Sequence, residues 1–241
     1  MPFELDSPLQ ARALAPYHAR MSRQPAPEPD WFGHPSLGES VRALARRGEV
    51  RRYARGSLLI QEGDLGDTLY VILEGRLRAY SVSLSNGREI TYGSYGPGEY
   101  VGELGLDGGR RSASVIALES SVCAVVTRAS LERHIAEQPG FAFELLAKVI
   151  RSARAATMTA RQLALTDVYG RLKSLLETLA GPPQDDGRRV IAERLTHQEM
   201  AHRVGCTREM VSRVMRDLAR GGYVANERAR LTILRALPAR W

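Results

Sequence analysis

The sequence predicts an α+β chain: a β-rich first half closed as a barrel, roll or sandwich, then one long helix, then a C-terminal helix-turn-helix with a β-hairpin wing. Three observations predict it. Between Val50 and Val126 glycines recur, with short β-rich runs between them. From Phe141 to about Leu165 apolar residues return at spacings of three and four. From Leu195 to Val224 two capped helical patterns meet at a glycine.

The β-rich runs are Ser57–Ile60, Thr68–Leu73, Leu77–Val82, Glu89–Tyr95, Ser112–Ala117 and Val122–Val126. In the last, apolar residues occupy both faces, so the strand is expected to be buried on both sides. Ser85-Asn86-Gly87 lies between two runs and signals a hairpin. Many short strands with regular turns make a closed or double-layered β structure. A short helix is expected over Ser36–Arg47, from Leu37, Val41 and Leu44, and another over Ala129–Ile135, closed by Pro139-Gly140. The Pro-rich stretch before them reads as a flexible arm with a short helix near Leu9–Leu14.

In the long helix Leu146, Val149, Ile150, Ala153, Ala156, Ala160 and Leu163 share one face. About 25 residues of helix span about 38 Å, too long for the core of a small roll. The narrow stripe predicts a seam between two copies; the alternative is a helix packed within its own chain. Asp167 is placed to cap a following helix, Val168–Ala180, because its carboxylate accepts the orphan N–H groups of the first turn. Gly181–Gly187 is a breaker-rich loop.

The net charge of +7 is unevenly spread. Residues 188–241 hold 12 arginines, no lysine and 5 acids, which is the whole excess. A basic terminal module on a neutral body points to a polyanion, DNA or RNA, or to an Arg-rich solvated face. Two distant cysteines, Cys123 and Cys206, exclude a disulfide scaffold, a CxxC metal site and a four-thiolate cluster, and suit a reducing cytoplasm. Both read as packed residues. No apolar run is long enough to span a membrane and no leader-like segment opens the chain. His18, His34, His134, His197 and His202 are scattered and form no metal pair; His197 reads as a phosphate contact or as nothing special. No Ser-His-Asp, Cys-His or GxxxxGK[ST] pattern is present, so the chain does not read as an enzyme.

The strongest local signal is LTHQEMAHRVGCTREMVSRVMRDLARGGYV. Thr196 and Glu199 form a capping box, with Met200 and Val204 facing inward. Gly205 supplies the left-handed turn. Thr207 caps a second helix whose Met210, Val211, Val214, Met215 and Leu218 are expected to pack inward. Two helices on a tight glycine turn are a helix-turn-helix, and Tyr223-Val224 with Leu231–Leu234 a wing. On the outward face Arg208, Glu209 and Arg213 sit where such a helix meets base edges; arginine forks onto guanine and glutamate accepts from cytosine. Thr196, Gln198 and Thr207 are placed for phosphates.

These residues resemble the catabolite activator (CRP/FNR) family of transcription regulators, over about residues 37–236. QEMAHRVGCTREMVSRVMRDL is similar to the family's recognition motif, with its R-E-x-x-x-R core at Arg208, Glu209 and Arg213. LALTDVYGR resembles the hinge, with Asp167 at the cap. GSLLIQEGDLGDTLYVILEGRLRAY resembles a cyclic-nucleotide-binding roll, and GEYVGELGLDGGRRSASV its phosphate-binding cassette.

The resemblance implies a flexible arm over 1–35, a cyclic-nucleotide-binding β-roll (a double-stranded jelly roll) over 36–140, a dimerisation helix over 141–166 and a winged helix-turn-helix over 167–241. It implies Gly102, Glu103, Arg111, Ser112 and Thr157 as ligand residues: Arg111 and Ser112 on the cyclic phosphate, backbone N–H groups beside Gly102, Glu103 on the ribose hydroxyl. Family members that bind cAMP carry a Thr-Ser pair on the dimer helix, where this chain has Ala156 and Thr157. Arg151, Arg154 and Arg161 on the same stretch keep cyclic di-GMP as a rival effector, or form a solvated face. The implied partners are a second copy, pseudo-palindromic double-stranded promoter DNA with TGTGA-like half-sites, and RNA polymerase, with no metal, no redox cofactor and no membrane. An orphan regulator with a purely structural roll, and a cyclic-nucleotide-binding regulatory subunit of an enzyme, are the alternatives.

Overall fold

The computed structural model describes residues 30–227 and 230–240; the fold below is that of the described residues from Phe32 onward. Leu9–Leu14 and nearly all of the arm lie outside the described residues.

The chain enters through helix α1 (Glu39–Ala45), whose Val41, Leu44 and Ala45 are buried. Eight strands follow: β1 (Glu49–Tyr53), β2 (Leu58–Ile60), β3 (Leu69–Glu74), β4 (Leu77–Val82), β5 (Glu89–Tyr95), β6 (Tyr100–Val101), β7 (Ser114–Ala117) and β8 (Ser121–Val126). They form two four-stranded sheets, β1-β8-β3-β6 and β2-β7-β4-β5, with every pairing antiparallel. Ile60, Ile72, Leu77, Ala79, Val101, Val115, Ala117 and Cys123 fill the core of the roll. All six residues of β8 are buried, because the strand runs between β1 and β3 and α1 packs against it. This accounts for its continuous apolar run. The turn at Ser85-Asn86-Gly87 does join a hairpin, β4 to β5.

Two strands of the roll carry no clear sequence signal. β1 is an edge strand whose Glu49, Val50, Arg51 and Arg52 are exposed, and charge on an edge hides a strand pattern while protecting the edge. β6 has only two residues.

Helix α2 (Arg128–Glu137) leads into α3 (Gly140–Leu165), 26 residues long. Phe141 is the one fully buried residue of α3; it anchors the helix against Tyr100 and His134. Leu146, Ile150, Ala153, Ala156, Ala160 and Leu163 are exposed and Val149 half-buried. An apolar stripe left open over several turns is what a helix shows when its partner is another molecule.

Asp167 accepts a hydrogen bond from the Gly170 N–H at 2.7 Å, capping α4 (Val168–Leu179). Then come β9 (Arg189–Val190), α5 (His197–Val204), α6 (Arg208–Arg220), β10 (Val224–Glu227) and β11 (Arg230–Ile233). Their sheet has the order β10-β11-β9. A second core, with Leu172, Leu176, Ile191, Met200, Val211 and Leu218 among its members, holds this unit together. Among the described residues no helix is long and apolar enough to cross a membrane.

Candidate functional site

Two features stand out: a cavity between the roll and α3, and the outer face of α6.

The cavity has a volume of about 740 Å³ and is lined by the segment from Gly98 to Gly105, by Arg111–Ala113, by Tyr92 and Tyr95 of β5, and by one face of α3. Gly102 turns with φ +99; a Cβ there would lie 2.6 Å from the Thr68 carbonyl oxygen and 3.0 Å from Nη1 of Arg111. Only glycine lets the chain pass so close. Arg111 is buried and its guanidinium is fixed by three acceptors: Gly102 O at 2.9 Å, Thr68 O at 3.0 Å and Thr68 Oγ1 at 3.0 Å. Three of its five N–H donors are thereby committed, both of those on Nη2 among them; the two left, on Nε and Nη1, point apart and do not form a fork. Ser112 is exposed and also lines the cavity.

Across the cavity stands a residue absent from the sequence-based set. Nζ of Lys148 lies 3.8 Å from Oε2 of Glu103, both side chains being largely buried. It also lies 3.9 Å from the centre of the Tyr100 ring and 5.3 Å from that of Tyr95, and donates to the Tyr100 carbonyl. Burial pushes the Lys148 amine below the usual lysine range, while Glu103 opposes the shift. Burial, with Glu103 and Glu144 nearby, pushes the Tyr100 phenol up to about 12, so the phenol stays a protonated donor at neutral pH. Lys148, Arg151, Ser152, Ala155, Ala156 and Thr159 recur every three or four residues on the cavity side of α3. That spacing was the available signal for Lys148.

Thr157 does not line the cavity of its own chain. It lies on the exposed face of α3, its hydroxyl donating to the Ala153 carbonyl at 3.0 Å. The reason is helical phase: position 157 follows 153 by four residues and so shares the stripe face, whereas Ala156 lies at the edge between the two faces. Arg151 lines the cavity; Arg154 and Arg161 are exposed outside it.

The second feature is built from caps. Thr196 accepts from the Glu199 N–H at 3.2 Å while the Glu199 carboxylate accepts from the Thr196 N–H at 2.7 Å, a complete capping box on α5. Gly205 ends α5 in the left-handed region with φ 67, and Thr207 caps α6 by accepting from the Met210 N–H at 3.3 Å. Val211, Met215 and Leu218 are buried, and Arg208, Glu209 and Arg213 face outward and are exposed. Met210 departs from expectation: it is 42% exposed. It flanks the buried arc in the first turn of α6. Gln198 is exposed and bonds to the His202 ring. Nδ1 of His197 is 2.9 Å from Oγ of Ser212, so it ties α5 to α6. Cys206 and Cys123 are buried and free; burial pushes the Cys123 thiol up to about 12, which makes it unreactive. No group of His, Cys, Asp or Glu among the described residues could hold a metal ion.

Two family models match the chain: a cyclic nucleotide-binding domain over residues 50–138 and a Crp-like helix-turn-helix domain over residues 170–237. The chain is 30% identical over 191 residues to the CRP-like cAMP-activated global transcriptional regulator of Mycobacterium tuberculosis, covering 78% of this chain and 85% of that protein. It is 34% identical over 179 residues to the cyclic AMP receptor protein of Thermus thermophilus, covering 72% of this chain and 78% of that one. Its fold resembles that of the c-di-GMP responsive global regulator CLP of Xanthomonas campestris, with a TM-score of 0.70 at 23% identity, over 82% of this chain and 99% of the other.

Proposed function

Since this chain belongs to the CRP-like family of transcription regulators, we propose that it is a homodimer that binds pseudo-palindromic promoter DNA under the control of a cyclic nucleotide. The observation that carries the reading is the cavity, walled on one side by the Gly102–Ser112 segment and on the other by the helix that leads to the DNA-binding unit.

A cyclic phosphate can take one spare donor of Arg111 together with the Ser112 hydroxyl. Tyr92, Tyr95 and Tyr100 offer ring faces to a base. Glu103 meets a ribose hydroxyl once Lys148 swings away. The effector is cAMP or cyclic di-GMP. The first draws support from the two named cAMP-responsive relatives. The second draws it from Arg151, a guanidinium at the cavity wall able to fork onto a guanine edge. Thr157, on the seam face, serves a ligand only across the dimer. One observation favours the orphan reading: Glu103 already faces a cation of its own chain.

On DNA, Arg208, Glu209 and Arg213 read base edges, and Thr196, Gln198 and Thr207 hold phosphates. Two α6 helices, about 34–36 Å apart across the α3 seam, enter successive major grooves at TGTGA-like half-sites. Asp167 marks the hinge on which the effector acts, and RNA polymerase is the downstream partner. Protein of this kind works in the cytoplasm.

Calorimetry with cAMP, cGMP and cyclic di-GMP, paired with binding to a two-half-site duplex, tests the reading. Heat from one nucleotide and tighter duplex binding in its presence are expected. No heat and no thermal shift from any of the three refutes effector control and leaves the orphan regulator.

A further inference from the structure

The helix wall of the cavity brings its own cation to the carboxylate of the roll wall. The gap of 3.8 Å between Nζ of Lys148 and Oε2 of Glu103 is longer than a hydrogen bond, so charge alone joins the two. Among the described residues no donor is hydrogen-bonded to the Glu103 carboxylate. It is a largely buried acceptor, balanced by a cation and still open to a hydroxyl. The ammonium is kept in place by its other neighbours. It donates to the Tyr100 carbonyl, and it lies over the rings of Tyr100 and Tyr95, where a cation is attracted by the ring face.

These are the groups a ribonucleotide would use: Glu103 for its 2′-hydroxyl, the two rings for its base. Lys148 therefore stands in two parts of the space a nucleotide would fill. A cation that leaves Glu103 has another carboxylate within its own helix. Glu144 is one turn earlier on α3, is exposed, and lines the same cavity. Glu four residues ahead of Lys is the favourable order for an ion pair along a helix.

The exchange sets what a ribose hydroxyl can contribute. Beside an unpaired carboxylate, the hydroxyl supplies a charge-assisted hydrogen bond that nothing else offers. Beside a carboxylate already paired, it contributes only the difference between its own contact and the one it displaces. A site of the second kind discriminates weakly against a ligand that lacks the hydroxyl.

We propose that Lys148 is a specificity-determining residue of the effector cavity: a resident ammonium that competes with the ribose 2′-hydroxyl for Glu103 and with the base for the Tyr95 and Tyr100 rings, and that moves to Glu144 when a ribonucleotide enters. The proposal rests on the cyclic-nucleotide reading above. It makes the empty cavity self-satisfied, and it raises the nucleotide concentration needed to fill it.

The test is isothermal titration of the full chain with cAMP, cyclic di-GMP and the 2′-deoxy counterpart of each, for the wild type, Lys148→Met, Lys148→Gln and Glu144→Gln. The readout is the ratio of affinities for the ribo and 2′-deoxy forms within one protein, which a partly unfolded sample does not change. In the wild type the ratio is expected to stay within about threefold. In Lys148→Met and Lys148→Gln the ribo form should bind about tenfold tighter than in the wild type, and the ratio should rise to about tenfold or more. Glu144→Gln should weaken the ribo form and leave the deoxy form unchanged; equal affinities in this variant and the wild type refute the move to Glu144. The same ratio in the wild type and both Lys148 variants overturns the competition and leaves the cyclic-nucleotide reading intact, as does a ratio that falls in those variants. Heat from the Lys148 variants with a silent wild type supports it in its strongest form. Silence from all four proteins removes the cyclic-nucleotide reading, and the competition with it.

Discussion

Glu103 and Lys148 face each other across the cavity at 3.8 Å, with side chains 8% and 13% exposed. Neither charge has full access to water, so each depends on the other. Lys148→Met should strand the carboxylate and lower unfolding stability by about 1–3 kcal/mol, and Glu103→Gln should strand the ammonium to a similar extent. The double variant should recover part of the loss, because an apolar and a neutral residue need no counter-charge. Urea unfolding of the four proteins gives the coupling energy. Strictly additive losses would show that the pair does not interact.

Thr196 and Glu199 satisfy two of the orphan N–H groups at the start of α5. Thr196→Ala should cost about 1 kcal/mol, read as a lower thermal midpoint. If Thr196 also holds a phosphate, affinity should drop equally on matched and random duplexes, with the salt slope unchanged because a hydroxyl carries no charge. A stability loss with unaltered duplex affinity would make Thr196 a cap and nothing more.

Much of this was legible from local chemistry. β4 and β5 begin and end at the residues expected, because a polar turn separates two β-rich runs. The caps at Thr196, Gly205 and Thr207 follow from side-chain type alone. What stayed hidden depends on which surface another element covers. Lys148 reads as a solvated helix residue until α3 is laid over the cassette. Met210 has the spacing of a core residue but stays 42% exposed beside the buried arc. Thr157 follows an alignment into the ligand set, and the phase of α3 places it on the opposite side. Arg88 and Glu89 sit beside a hairpin turn, and no local pattern tells that α5 docks there.

Burial holds the imidazoles of His134 and His202 below their ordinary value of 6.5. His134 is fully buried beside Phe141, with neither ring nitrogen hydrogen-bonded; Arg47 adds to the shift, and Glu137 and Glu144 oppose it. For His202, Arg78 adds to the shift, Glu89 and Glu199 oppose it, and Gln198 is its other neighbour. A group with a depressed pKa binds its proton more readily in the unfolded chain. Stability should therefore be full above about pH 6.5 and fall as the pH drops below it. Thermal midpoints between pH 7.5 and 5.5 should show the decline, and His134→Phe, which keeps a ring against Phe141, should make it shallower. An identical decline in the variant would assign the effect to other groups.

The exposed stripe of α3 sets the next expectation. Ile150 is 42% exposed and Leu146 53%, with Ala153, Ala156 and Ala160 continuing the line. If the stripe is the proposed two-fold seam, Ile150→Glu puts two like charges into it. The variant should sediment as a monomer and lose affinity for a two-half-site duplex, while its circular dichroism remains that of the wild type. A monomeric wild type would remove the seam from the account.

Arg213 lies one helical turn beyond Glu209 on the exposed face of α6, clear of the core that Val211, Met215 and Leu218 occupy. No described residue is hydrogen-bonded or ion-paired to this guanidinium, so Arg213→Ala should leave the thermal midpoint within a degree or so. If the side chain forks onto a guanine, its removal should cost about 1–3 kcal/mol on the matched half-site, and the preference at that base pair should relax. A phosphate contact behaves differently: affinity then drops equally on matched and random duplexes, and the salt slope falls by about one. Titrations on both duplexes at two salt concentrations separate the outcomes. Equal loss on the two sequences would move Arg213 from the reading set to the phosphate set and leave Arg208 and Glu209 to carry the recognition.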